Sequence, residues 1–414
     1  METTYWGTEQ RSRTLRLIAR VPGRTYTDKW AARGAFATLV ALAMLPAFAA
    51  PADAAGAYVF TKVVDSVADG FNPQTLRLSC PSINTRGDIA FKSERGGRDG
   101  IYRANAGGGV TTIAEVGSGF ALLANGNPSM NDSGQVSFGA SPSGGGQAIM
   151  RGDGTTLTTI AGTSTQRTGF TSFGRSTSIN DTGEVAFDGQ LGPDVRGLFS
   201  GTGGATTTHY LNTEDASVDG SPARFNATSD RPSINNLGDI AFLDEIQGTF
   251  RQDIFRGQEG SFTTISASNP PSAATPPLLN NGGTVAWQSF FLNETGFFVS
   301  AIVKGDGVGP ATSVVDSSGA FNIFDSYAIN NTGAVAFSAT LDSDNLGIPS
   351  IFVGPSPKKD RVIGPGDKLD GGTVAGLRFC EEGLNDSGQL AFVAEIEDSN
   401  GEVRAAVFRA TRRK

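Results

Sequence analysis

The sequence predicts an all-β protein: a seven-bladed β-propeller of four-stranded antiparallel blades, its ring closed by an N-terminal strand that completes the last blade. Three observations lead there. A short phrase recurs seven times, a second phrase follows each copy, and one strand-like segment near the start belongs to no copy. The first phrase is Asn, two residues, Gly, one residue, an aliphatic residue, Ala or Ser, then Phe or Trp. It begins at Asn84, Asn131, Asn180, Asn235, Asn280, Asn330 and Asn385. The steps of 47, 49, 55, 45, 50 and 55 residues lie at or somewhat beyond the blade length of known propellers. With 55 glycines, 18% charged residues and no long stretch of helical periodicity, the composition suits many short strands joined by tight turns.

Each phrase reads as the turn between a blade's first two strands. Asn favours the first position of a type I turn, where its side chain accepts a hydrogen bond from an amide two residues on. Gly87, Gly134, Gly183, Gly238, Gly283, Gly333 and Gly388 hold the fourth position, where a positive φ is needed. This chemistry accounts for the repeated Asn and Gly without seven ligand sites. The second phrase marks third strands: Gly100 to Arg103, Ala148 to Arg151, Gly197 to Ser200, Asp253 to Arg256, Ala301 to Lys304, Ser350 to Val353 and Ala406 to Arg409. Adjacent apolar residues there imply sheets covered on both faces. Thr-rich segments such as Val110 to Ile113 and Leu157 to Ile160 read as outer edge strands.

The last unit stops after its third strand, whereas Tyr58 to Val64 precedes the first phrase with no unit of its own. Pairing the two closes the ring. Cys80 and Cys380, read as lying on the first strands of the first and last units, are neighbours only in a closed ring. They form either a disulfide or two buried thiols held beyond bonding reach.

The propeller is assigned to 57–410, with 411–414 as a basic tail. Residues 1–49 read as an export signal: seven basic residues, the apolar run Gly34 to Ala50, and a small-x-small site at Ala47-Phe48-Ala49. A retained single-span anchor is the alternative. Loss of 1–49 leaves 26 basic and 38 acidic residues, a net charge of −12, which argues against nucleic-acid binding and docking on anionic lipid.

The phrase Asn-x-x-Gly-x-Val-Ala-Phe, with the Gly-Ile-Phe-Arg-Gly and Thr-Thr-Ile that follow, resembles bacterial extracellular repeat proteins of unknown function, over residues 58 to 410. More distantly, Pro81 to Phe91 followed by Gly100-Ile101-Tyr102 is similar to the TolB-type propeller repeat, although Asn84 stands where that repeat often carries a Pro-Asp-Gly turn. These resemblances imply export and a propeller scaffold and attach no activity.

Candidates for chemistry are few. His209, the only histidine, falls on a fourth strand without a Gly-x-Ser-x-Gly elbow, and is expected exposed and non-catalytic. One His and two distant Cys make no zinc site. Asp342 to Gly347 and Asp398 to Glu402 offer oxygen ligands for calcium, but neither completes the EF-hand spacing, and no cofactor is expected. Glu381-Glu382 are adjacent carboxylates whose ordinary reading is a solvated turn. The longest departure from the repeat, Ala205 to Arg231, is a candidate binding loop carrying Asp215, Asp219 and Arg224. Phe290, Phe291, Phe297 and Phe298, near Trp287, are expected in the core unless they form a partner or glycan surface. The expectation is an exported, monomeric, non-enzymatic propeller, secreted or periplasmic, free of the membrane after cleavage, that binds a protein or glycan through one face. The alternatives are a hydrolase or lyase acting on extracellular polysaccharide, with carboxylates at the channel mouth, and an architectural surface protein.

Overall fold

The two repeated phrases belong to one hairpin register. In every blade the aromatic of the first phrase pairs across the second and third strands with the third residue of the second phrase: Phe91 with Tyr102, Phe138 with Met150, Phe187 with Phe199, Phe242 with Phe255, Trp287 with Val303, Phe337 with Phe352 and Phe392 with Phe408. Three of these pairs stack with ring centroids 5.5–5.9 Å apart. The structure, a computed structural model, describes residues 57–413 except 164–168, 228–230, 250, 267–271, 274, 294 and 344–346. The segment read as an export signal and the middle of the Asp342 to Gly347 turn lie outside the described residues.

Seven antiparallel sheets stand in a ring, a seven-bladed propeller. The core lies between the blades. Aromatics of one blade pack on the Ala and the larger aliphatic residue that face the other way on the preceding blade: Phe91 and Tyr102 on Ala391 and Val407, Phe242 and Phe255 on Ala186 and Leu198, Phe337 and Phe352 on Ala286 and Ile302. The small Ala of each phrase leaves room for the neighbouring ring, and this accounts for the Ala/Ser-then-aromatic pairing in the sequence.

Closure follows the expected path. Tyr58–Asp65 pairs antiparallel with Val403–Arg412. That last strand runs on to Arg412, two residues into the segment read as a tail. Cys80 and Cys380 form a disulfide with Cα atoms 5.4 Å apart. Both cysteines sit outside the first strands on which the repeat places them, Cys80 just before Ser82–Ile83 and Cys380 just after Gly372–Arg378.

Two units depart from the repeat. In blade 1 the upper part of the innermost strand is replaced by a helical turn, Pro73–Arg77, started by the Asn72 side chain, which accepts from Gln74 N. The segment 205–231, read as a binding loop, supplies the fourth strand of blade 3, Thr207–Leu211, and then two short strands laid along blade 4. Ala216–Val218 runs parallel beside the outer strand Ser261–Thr264, and Ser221–Ala223 adds a further strand, giving six in all. Phe225 is fully buried, its ring centroid 4.7–5.5 Å from those of Tyr210, Phe242, Phe255 and Phe262. Asp219 accepts from the Thr264 amide and hydroxyl, and Asp215 pairs with Arg224. The insertion covers a sheet edge that would otherwise be exposed. Among the described residues no helix is long and apolar enough to cross a membrane.

The disulfide spans a sequence separation of 300 residues. Replacing both cysteines by Ser is expected to lower stability by about 3–5 kcal/mol. Reductant should reproduce the loss in the wild type and leave the double variant's thermal transition unmoved.

Candidate functional site: the channel and its mouths

The seven turns ring one mouth of the central channel, around a cavity of about 170 Å³. Each is closed the same way. The Gly amide donates to the Asn carbonyl at 2.9–3.1 Å, with Gly φ between +72° and +83°. Asn Oδ1 accepts from the amide four residues on at 2.9–3.0 Å in all seven turns. The expected bond from two residues on is present at Asn180, Asn235 and Asn330 as a second contact.

The other half of each carboxamide does something that turn chemistry alone does not foretell. Nδ2 of Asn131, Asn180, Asn280, Asn330 and Asn385 donates to the Asn carbonyl of the next blade at 2.8–3.1 Å. The following residue adds a second ring. Backbone amides of Thr85, Asp132, Asp181, Asn236, Asn281 and Asn331 donate at 2.7–2.8 Å to the Asx side chain at the same place in the next blade, ending at Asp386. A third ring lies one step up the channel, where Ser82, Ser129, Ser178 and Ser233 accept from the next blade's amide.

A basic residue ending the second phrase completes the set. Arg103, Arg151, Arg256, Lys304 and Arg409 reach the carbonyl of the turn Gly in the following blade. Four of those glycines, Gly87, Gly134, Gly183 and Gly283, are doubly constrained: a Cβ on Gly134 would lie 2.6 Å from Arg103 Nη1. Gly388, preceded by a blade that carries Val353 in the basic position, has open space there. The signal was present in the recurring Arg or Lys after Ile-Phe, which the sequence reading used only to define strands.

The opposite part of the channel is narrower, with a cavity of about 60 Å³ bounded by Cys80, Cys380, Pro residues and Glu381. Glu381, Glu382, Arg231 and Tyr327 do converge here, as the enzyme alternative anticipates, but they are held by one another and by the frame. Arg231 bridges to Glu381 at 2.9 Å, and Asn127 donates to the same carboxylate. Tyr327 is buried, its hydroxyl donating to the Pro276 carbonyl at 2.7 Å. Glu382 is no solvated turn: it accepts from Ser82 Oγ at 2.7 Å and from Met130 N, linking blade 7 to blades 1 and 2. Burial raises its pKa to about 7, against the lowering effect of those donors.

His209 is buried, contrary to the exposed edge residue expected. The fourth strand of blade 3 lies against blade 4, so its side chain is covered. Nδ1 accepts from Glu259 N, which leaves the proton on Nε2, directed at Ser200 Oγ. Ser200 in turn donates to Glu184 at 2.5 Å. A catalytic histidine must accept from its serine; this one donates, and burial lowers its pKa to about 4. Asp398 caps its own turn by accepting from Asn400 N and Glu402 N.

The Phe-rich unit divides. Trp287 is buried and Phe290 and Phe291 are half-buried, but Phe297 and Phe298 are 71% and 81% exposed. They lie at the hairpin between the second and third strands of blade 5. That hairpin is at the far end of the second strand from its Asn turn, on the same side of the ring as the Arg231 mouth.

Residues 52–408 match a family described as a family of unknown function, DUF7453. The chain belongs to that family. No curated protein matches it. Similar solved structures include one described as a TolB from Agrobacterium tumefaciens (14% identity, TM-score 0.38, covering 57% of this chain and 80% of that one). A protein of unknown function from Dyadobacter fermentans shows 10% identity and a TM-score of 0.36, covering 86% of this chain and 99% of that one. The polysaccharide lyase Uly1 shows 8% identity and a TM-score of 0.40, covering 80% and 89%.

Asn280→Ala removes a turn cap and an inter-blade donor together, and is expected to cost about 2–3 kcal/mol in chemical denaturation, against less than about 0.5 kcal/mol for exposed Thr295→Ala. Folded Glu382, raised from 4.5 to about 7, binds an extra proton in that window, so its contribution falls as pH rises. Folded His209, lowered from 6.5 to about 4, contributes stability that grows as pH rises through its window. The two slopes oppose each other between pH 4.5 and 6.5. Glu382→Gln should expose a rise of about 3 kcal/mol across that interval, and His209→Gln a fall of similar size. Parallel stability curves for the two variants would contradict the assignment.

Proposed function

We propose that the protein is an exported, non-enzymatic propeller that binds a protein partner through the side of the ring opposite the Asn turns. The observation that carries this reading is the pair Phe297 and Phe298, largely solvent-exposed beside Leu292, itself 53% exposed. Adjacent exposed aromatics on a hairpin tip offer a large apolar contact at little ordering cost. Phenylalanine lacks the polar handle with which Tyr and Trp hold sugar hydroxyls, so a protein suits this tip better than a glycan. Export is supported by the basic, apolar and small-residue succession in 1–49 together with the disulfide.

The enzyme alternative has one observation in its favour, the adjacent Glu381 and Glu382 with one pKa raised to about 7. The cavity beside them, about 60 Å³, is far below the roughly 300 Å³ at which small-molecule sites begin. The carboxylates there also serve as ties between blades.

The test is a double variant, Phe297→Ser with Phe298→Ser, on arrays of envelope proteins and glycans. Stability should change by less than about 0.5 kcal/mol, because both rings are exposed. Binding to the partner should weaken roughly tenfold or more. Equal binding by wild type and variant would overturn the reading.

A further inference from the structure

The ring seam holds a second feature, on the same side as the Phe hairpin. Between blades 7 and 1 lies a groove of about 220 Å³ lined by Arg77, Leu78, Leu377, Arg378, Val393 and Glu395. Its walls are the end of the helical turn Pro73–Arg77 and the end of the strand Gly372–Arg378.

The polar groups of this groove are underused. Arg378 is exposed, and neither guanidinium has a hydrogen-bond acceptor among the described residues. The one ion pair, Arg77 with Glu395, is long at 3.8 Å. Elsewhere basic side chains are consumed by the frame, as in the Arg clasps on the turn glycines. Two guanidiniums against one carboxylate give a positive site on a chain whose net charge is −12 after loss of 1–49. The apolar part is aliphatic: Leu78 is 62% exposed, Leu377 half-buried, Val393 at the floor. The walls are also tied together. Cys80 lies three residues past Arg77 and Cys380 two past Arg378, so the disulfide fixes their separation before any ligand arrives.

We propose that this groove binds an acidic peptide segment bearing aliphatic side chains, supplied by the partner of the binding reading above, on which this inference rests. Carboxylates engage Arg77 and Arg378 as charge-assisted, bidentate pairs, and a Leu- or Val-like side chain covers Leu78 and Leu377. An acidic glycan would satisfy the arginines but leave the aliphatic floor uncovered, and no aromatic ring lines the groove for a sugar face to stack on.

The experiment uses the mature disulfide-bonded protein and a fluorescent peptide of alternating Glu and Leu, read by anisotropy. Comparison ligands are the same peptide with Gln for Glu, the same with Ser for Leu, and oligogalacturonate. Expected results are binding of the Glu/Leu peptide, roughly tenfold weakening with Arg378→Glu or Leu78→Ser, and further weakening by salt or reductant. The Arg378 side chain is exposed and enters no hydrogen bond or ion pair among the described residues, so its variant should melt close to the wild type. The Phe297→Ser, Phe298→Ser variant should bind this peptide unchanged, which separates the groove from the hairpin. No binding, equal binding of the Gln peptide, equal binding by Arg378→Glu, or tighter binding of oligogalacturonate each overturns the proposal. If the proposal fails in any of these ways while the Phe variant still loses its partner, the binding reading stands without the groove.

Discussion

The structure depends on one carboxamide used twice. Oδ1 of each repeated Asn closes its own turn, and in five of the seven Nδ2 reaches the carbonyl of the next. The first bond fixes a hairpin register; the second fixes the distance between blades. Because the acceptor is the carbonyl of another such Asn, each link assumes that the neighbour's turn is already formed. Register within a blade and spacing around the ring are thus set by the same side chain, and the aromatic-on-Ala packing between blades inherits its alignment from it.

The links between neighbouring blades come as the Asn bond, the Asx bond and the basic clasp, and no interface lacks more than one. Between blades 1 and 2, Asn84 turns its Nδ2 to Asp88, while Arg103 and Asp132 still bridge. Between blades 4 and 5, the Asn235 amide has no partner, while Arg256 and Asn281 hold. Ser200 replaces the basic residue between blades 3 and 4, and the His209 network spans that interface instead. Between blades 7 and 1, Thr85 ends the Asx ring; the disulfide and the Glu382 to Ser82 bond lie there. A half-buried carboxylate with a raised pKa is tolerated where an ordinary link is missing. Here the polar groups that line the channel are engaged in closing the ring.

Much of this was legible in the sequence because a repeat states its constraints seven times. The turns, the hairpin register, the orphan strand at Tyr58 to Val64 and the nearness of Cys80 to Cys380 all follow from position within the unit. Contacts between units were not legible. Asn Nδ2 has no local signature, and the Arg after Ile-Phe reads as a strand end until the next blade is beside it. His209 was misjudged for a related reason: position in the repeat placed it on an edge strand, but only the neighbouring blade decides whether that edge is covered.

The fate of two phenylalanine groups shows where position in the unit stops being informative. Phe225 lies in the insertion beyond its two short strands and is fully buried, because the insertion folds back along blade 4 and carries the ring into a cluster of four others. Phe297 and Phe298 lie on a regular hairpin and are exposed. The reason is length. The second and third strands of blade 5 each have eight residues, where those of blade 3 have six, so Leu292 and Phe298 pair near the tip, beyond the reach of neighbouring blades. Blade 7 overhangs too, with strands of eight and ten residues, but there Glu395, Glu397 and Arg404 keep much of the overhang polar. An overhang requires no apolar residues for folding, and placing three there adds exposed hydrophobic surface with no gain to the ring. The fold does not ask for that surface, and it is on this surplus that the proposed partner contact rests.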